Sequence, residues 1–163
     1  MPLPATYWLL LTNATSIASG LSLTLSGGKK VTVVQGKVPK DEQELDSANL
    51  PLLYVTCSNR PVHSEWFATS DLPSNAPYKK NTYQVEFTMI AASNMDNTTG
   101  LQDYLDWRQV IVQNVAGAPP QIGVSTCMEV NYDQDPPVNR PAWMVNYDTS
   151  AINVSYECVE PAY

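Results

Sequence analysis

The sequence has little charge. Asp, Glu, Lys and Arg together make up 15% of its 163 residues, against roughly 25% in an average soluble domain. Because burying charge is costly, such a surface suits a subunit that contacts neighbours over much of its exterior. A solvated exterior rich in Ser, Thr and Asn is the alternative interpretation.

The residue types that carry metal and nucleophile chemistry are also scarce. His63 is the only histidine, so a second imidazole ligand is missing, and no glycine pattern of a nucleophile elbow frames a serine. Cys57, Cys127 and Cys158 are odd in number and far apart, which is neither a disulfide framework nor a zinc ligand set. We expect three buried strand thiols in a reducing compartment. We therefore expect no catalytic residue, no metal and no cofactor.

Long apolar runs and clustered positive charge are missing as well. No stretch of about 20 apolar residues is present, so we expect no membrane span. The start Met1-Pro2-Leu3-Pro4 lacks the basic residues of a signal peptide. The net charge of −7 argues against direct binding to nucleic acid. An acidic wall would still let DNA slide through a pore without binding it.

The hydrophobic pattern that is present predicts one α+β domain. Apolar residues at helical spacing predict a helix over residues 5–19 and a second over residues 101–115. Apolar or alternating stretches predict strands at 31–34, 52–57, 83–92, 124–132, 143–147 and 152–158, with a bulge or kink at 148–150. We expect a mostly antiparallel mixed sheet with both helices packed on one face.

Residues 58–81 are expected to form a long inserted loop in this single domain. Prolines punctuate the segment, and Trp66 and Phe67 lie in its middle. Long ordered loops are usually functional or stabilised by a partner. The two aromatic residues are expected to anchor the loop either to its own core, which we favour, or to a neighbouring subunit.

Two further groups are candidates for an interface. Trp107 and Arg108 on the second helix are residue types enriched at binding hot spots. The alternative is that Trp107 lies half-buried on the sheet and the Arg108 stem covers it. A polar loop at 37–49, with little apolar surface to bury, supplies the other three candidates: Asp41, Glu42 and Glu44.

The order of these elements resembles the tail-terminator family of long-tailed phages, also called tail-completion or head-tail joining proteins. The resemblance covers nearly the whole chain and runs through a first helix (7–19), early strands around an acidic stretch (31–57), a variable loop (58–81), a central strand (83–92), a helix with Trp107 and Arg108 (101–115) and terminal strands (124–132 and 152–159). The proline-rich segment 133–141 and the last four residues have no match in it.

The resemblance implies a structural virion protein without an active site. It implies a homo-oligomeric ring, usually hexameric, that caps the tail tube and joins it to the head connector while DNA passes through the lumen. The implied partners are other copies, the tail tube protein and the connector protein, and assembly would take place in the host cytoplasm. Alternatives are another neck protein or tube subunit, a small hydrolase, or a carbohydrate-binding module that stacks sugars on Trp66, Phe67 or Trp143.

Overall fold

Two helices and seven strands make up the described part of the chain. The computed structural model describes residues 6–25, 28–41, 43–58, 61–67, 78–92, 98–115, 121–122, 125–134 and 147–161. The elements in chain order are α1 (Thr6–Gly20), β1 (Thr32–Gln35), β2 (Leu52–Cys57), β3 (His63–Phe67), β4 (Tyr78–Ala92), α2 (Thr98–Val115), β5 (Gln121–Ile122), β6 (Ser125–Gln134) and β7 (Tyr147–Pro161). A 3-10 turn lies at Ser47–Asn49.

All seven strands belong to one sheet. Its order is β1-β2-β4-β7-β6-β5, and β3 pairs with β4. β1 and β2 are parallel, whereas the other pairs are antiparallel. At the centre, β4 and β7 pair along their full length, from Tyr78 opposite Pro161 to Ala92 opposite Tyr147. The predicted α+β class with a mostly antiparallel mixed sheet is confirmed.

Both helices pack on one face of this sheet, as expected. Between them and the strands lies the larger hydrophobic core, whose members recur every three or four residues in the helices and every second residue in the strands. Its completely buried members include Leu10, Ala14, Ala18, Val85, Phe87, Met89, Tyr104, Ile111, Ile152 and Val154. Each large apolar side chain in this core contributes about 1.5 to 3 kcal/mol by leaving water.

The opposite face, which carries no helix, has a smaller core at one end. Leu45 packs there against Leu52, Tyr54 and Ile90. Strand β2 is therefore buried on both faces, which its unbroken apolar run predicted. The expectation that the loop at 37–49 has little to bury was wrong for Leu45, which covers the sheet while its charged neighbours remain exposed.

Two segments that the sequence predicted as a loop and as a bulge or kink form strands instead. Residues 63–67 and 78–82 pair with each other as β3 and the start of β4, so the expected loop at 58–81 was wrong there. Residues 59–60 and 68–77 lie outside the described part. Residues 148–150, expected as a kink, pair in register with 89–91 of β4. In both places polar side chains break the apolar alternation, but the backbone hydrogen bonds to β4 continue.

A bulge does occur, but in β6 rather than β7. The register of β6 against β7 shifts between Cys127 and Glu129. A bulge adds one residue to one strand and increases the local twist. Trp143 and Val145, expected in a further strand, lie outside the described residues.

Candidate interaction surface

Strand β3 lies at the edge of the sheet, in line with β2. β2 pairs with residues 85–90 of β4, and β3 continues along the same side of β4 at residues 78–82. No strand in the described part of the chain pairs with the outer side of β3. The edge of a sheet presents unpaired N–H and C=O groups, which are a template for pairing with another chain. We call residues 62–66 the β3 edge.

The β3 edge carries the most exposed large apolar side chain among the described residues. Trp66 is 69% exposed, and Val62 near it in sequence is 43% exposed. The Lys79 ammonium lies 4.9 Å from the centre of the Trp66 ring, a cation–π contact from the neighbouring strand. The interpretation that we favoured, in which Trp66 enters its own core, was therefore wrong. The Phe67 side chain is not among those described.

On the other face of the same strand, charged groups hold β3 to β4. The Lys80 ammonium lies 2.6 Å from a Glu65 carboxylate oxygen, and the His63 imidazole lies 3.9 Å from the other oxygen. The hydrogen bond from Lys80 lowers the pKa of Glu65, and the positive charge of Lys80 acts in the same direction. Because Glu65 is about half exposed and Lys80 is partly exposed, water screens the ion pair, which orients the strand more than it stabilises the fold.

A half-buried polar cluster joins β4, β7 and α1 near this edge. The Glu160 carboxylate accepts hydrogen bonds from the Thr6 hydroxyl (2.5 Å), the Tyr83 hydroxyl and the Asn81 amide. The Tyr7 ring packs against Tyr83 with 5.1 Å between ring centres. Burial, followed by the hydrogen bond with Glu160, raises the pKa of Tyr83. Sequence alternation alone did not reveal this cluster, because its members are far apart in the chain.

The position of the cluster ties the β3 edge to the first helix. Lys79, whose ammonium group lies over the Trp66 ring, is directly opposite Glu160 in the β4–β7 pair. Glu160 in turn holds Thr6 at the start of α1. The exposed tryptophan therefore sits on a strand pair that is fixed to the rest of the domain through hydrogen bonds. Such a support favours a defined contact surface over a freely moving side chain.

Trp107 and Arg108 do not belong to any exposed surface. They are 3% and 2% exposed, and an Arg108 Nη atom donates to the Ala151 carbonyl oxygen at 3.1 Å. The interface interpretation was wrong for both residues, because side chains buried within the chain are not available to a partner. On α2 the side with Tyr104 and Ile111 is buried, whereas Leu101 and Leu105 are 38% and 45% exposed.

Two of the three acidic candidates, Asp41 and Glu44, lie in the loop that covers the helix-free side of the sheet with Leu45. Asp41 and Glu44 are exposed. The Glu44 backbone N–H donates to Asp41 Oδ1 at 2.9 Å, and the Lys40 N–H donates to Glu44 Oε2 at 3.1 Å. These two local bonds shape the loop that buries Leu45. Glu42 lies outside the described residues.

His63 and the three cysteines were the residues with the most reactive side chains in the sequence. The exposed His63 contacts only Glu65 among the ion pairs given above, and the described residues hold no group of three His, Cys, Asp or Glu that suits a metal ion. The expectation of three buried thiols was wrong for Cys57, which is exposed, and holds for Cys127 and Cys158.

Comparison with known proteins does not assign the chain to a family. No protein-family model matches the sequence, and no curated protein is significantly similar to it. Neither helix in the described ranges has both the length and the apolar composition needed to cross a membrane.

Proposed function

We propose that the chain is a structural subunit of the neck or tail of a long-tailed phage. In this proposal, copies of the chain close into a ring, usually hexameric, that caps the tail tube and joins it to the head connector. The observation that carries the proposal is the β3 edge, whose outer side pairs with no strand in the described part of the chain and which presents the exposed Trp66 to a neighbour. Ring closure requires such a patch to meet a different patch on the next copy.

The element order supports the proposal. A first helix, early strands, a long central strand, a second helix and two paired terminal strands follow one another in the order on which the resemblance rests. The exposed apolar residues Leu101 and Leu105 on α2 fit an exterior that meets several neighbours. The low charge content fits the same arrangement.

Part of the helix-free face of the sheet would form the wall of a channel for DNA: Glu86 and Glu157 are partly exposed there, whereas Thr88 and Asn153 on the same face are buried. Its central strands carry polar side chains, among them the carboxylates Glu86 and Glu157, and its Lys80 is paired with Glu65. Like charges repel, so this face would not hold the phosphate backbone. DNA would pass without specific binding.

The oligomeric state of the purified protein tests the proposal. We expect light scattering to give a discrete oligomer that dissociates on dilution, and electron microscopy to show rings. A chain that stays monomeric at every concentration, also when mixed with tail tube protein, would contradict the ring. A monomer whose Tm rises with an added sugar would favour the carbohydrate-binding alternative.

A pair of tryptophan substitutions tests the role of the β3 edge. Trp66→Ser should weaken self-association at least about tenfold, because aromatic anchors carry much of the energy of an interface. Trp8→Ser is the matched control, since Trp8 is 57% exposed but lies on α1. We expect it to change the association by less than about twofold, with both variants keeping the parent Tm. Equal effects of the two substitutions would rule out the β3 edge while leaving the ring itself intact.

A further inference from the structure

The strand register brings two distant cysteines face to face. Cys127 of β6 is directly opposite Cys158 of β7, and neither is part of a disulfide. Their exposed fractions are 7% and 0%, on the sheet face that the helices cover. The third thiol, Cys57, lies on β2 and is separated from β7 by β4.

Backbone geometry at these positions suits a covalent bond. Opposed residues in an antiparallel pair have Cα atoms about 4.5 or 5.5 Å apart. Both values fall within the range of roughly 4.4 to 6.8 Å found across disulfides. The bulge that begins at Cys127 loosens the ladder on one side of the pair, so that the side chains can adjust.

We infer that Cys127 and Cys158 form a cross-strand disulfide when the folded protein meets an oxidant of the small-molecule disulfide class. The Cys127 thiolate attacks the small disulfide and releases one thiol, which leaves a mixed disulfide on Cys127. The Cys158 thiolate then attacks the Cys127 sulfur and releases the second thiol. Two protein thiols are oxidised, one small disulfide is reduced to two thiols, and the two protons pass to these thiols.

The surroundings of the two thiols set the order of these steps. The hydrogen bond with Cys127 and burial both raise the pKa of Cys158, so this thiol keeps its proton while the fold is closed. Cys127 is the more accessible of the pair and is therefore the first to react. The reaction is slow, since the oxidant reaches Cys127 only when the sheet edge opens.

The product would fix β6 to the central strand β7. The two cysteines would stay reduced in a reducing compartment and would form the disulfide after the protein reaches an oxidising medium. This inference does not depend on the proposed ring. It needs only the β6–β7 register.

The experiment uses the folded Cys57→Ser variant, which retains only the two facing thiols. After prolonged incubation with oxidised glutathione, we expect its intact mass to fall by two hydrogen atoms. Proteolysis without reductant should release one linked peptide pair that contains residues 127 and 158. The Tm should rise by about 5 to 10 °C and return to its starting value after reduction.

Two results in the Cys57→Ser variant would overturn the inference. One is that both thiols are still alkylated upon unfolding after the same incubation. The other is a stable glutathione adduct on Cys127 in place of the internal bond. In the parent chain, a linkage of Cys57 to either partner in preference to the Cys127–Cys158 bond would contradict it as well.

Discussion

Tyr104 and Tyr156 differ in the hydrogen bonding of their buried hydroxyl groups. Tyr104 and Tyr156 are both at most 1% exposed. The Tyr104 hydroxyl donates to the Asp148 carbonyl oxygen at 3.0 Å and so joins α2 to β7. The Tyr156 hydroxyl has no hydrogen-bond partner among the described residues. A hydroxyl with a partner stabilises the fold, whereas a buried one without a partner costs the hydration that it lost.

We predict opposite effects for removing these two hydroxyls. Tyr104→Phe should lower the free energy of unfolding by about 0.5 to 1.5 kcal/mol, because the Asp148 carbonyl loses a donor. Tyr156→Phe should leave it unchanged or raise it. Urea unfolding at neutral pH measures both, and the two variants are controls for each other because each deletes the same atom. A larger loss in Tyr156→Phe would show that its hydroxyl has a partner in the folded protein.

Strands β4 and β7 are the structural centre of the protein. Each has 15 residues and a neighbour on both sides over much of its length. β3 is different, because it pairs only with β4 and its residues 63–66 are exposed. Backbone amides that point away from β4 on this strand have no strand partner in the described part of the chain.

Hydrogen exchange should separate these elements. In dilute protein we predict that amides of β4 and β7 exchange slowest and that outward amides of β3 exchange among the fastest of all strands. If the β3 edge is the contact surface, its amides should become protected as the concentration rises, while exchange in α1 stays constant. Mass spectrometry of peptides covering 61–67 provides the measurement. Slow exchange of β3 in the dilute monomer would contradict the assignment of a free edge.

At the scale of the whole molecule, buried phenols link stability to alkaline pH. Burial is the first cause that raises the pKa of both Tyr104 and Tyr156 above the ordinary value of 10.0. The folded state therefore keeps these protons at a pH where the unfolded chain releases them. Their contribution to stability is complete below pH 10 and is lost as the pH rises from there towards the folded pKa.

We predict a steep fall in the free energy of unfolding above pH 10. Each of the two phenols contributes a slope of up to about 1.4 kcal/mol per pH unit. Tyr156→Phe should remove one such contribution and flatten the curve, whereas Tyr132→Phe at an exposed position is the control and should leave it unchanged. Urea unfolding on both sides of pH 10 tests this. An identical slope in Tyr156→Phe and the parent would show that Tyr156 is not a source of the pH dependence.

The sequence by itself determined the elements whose signal is local. Repeats of three and four residues located both helices, alternation located the middle of β4, and an unbroken apolar run marked β2 as buried on both faces. These patterns report which side of one element meets the core, because side-chain direction follows from the backbone geometry of that element alone. The α+β class followed from their order.

Only the tertiary structure decided which distant residues meet. It exposed Trp66 on an edge strand, buried Arg108 against Ala151, gathered Thr6 and Tyr83 around Glu160, and placed Cys127 opposite Cys158. Polar residues in β3, at the start of β4 and in β7 interrupt the apolar pattern. The sequence therefore predicts a loop or a kink where strands continue. The register between strands is set by packing across the sheet, and neither partner carries a local signal of the other.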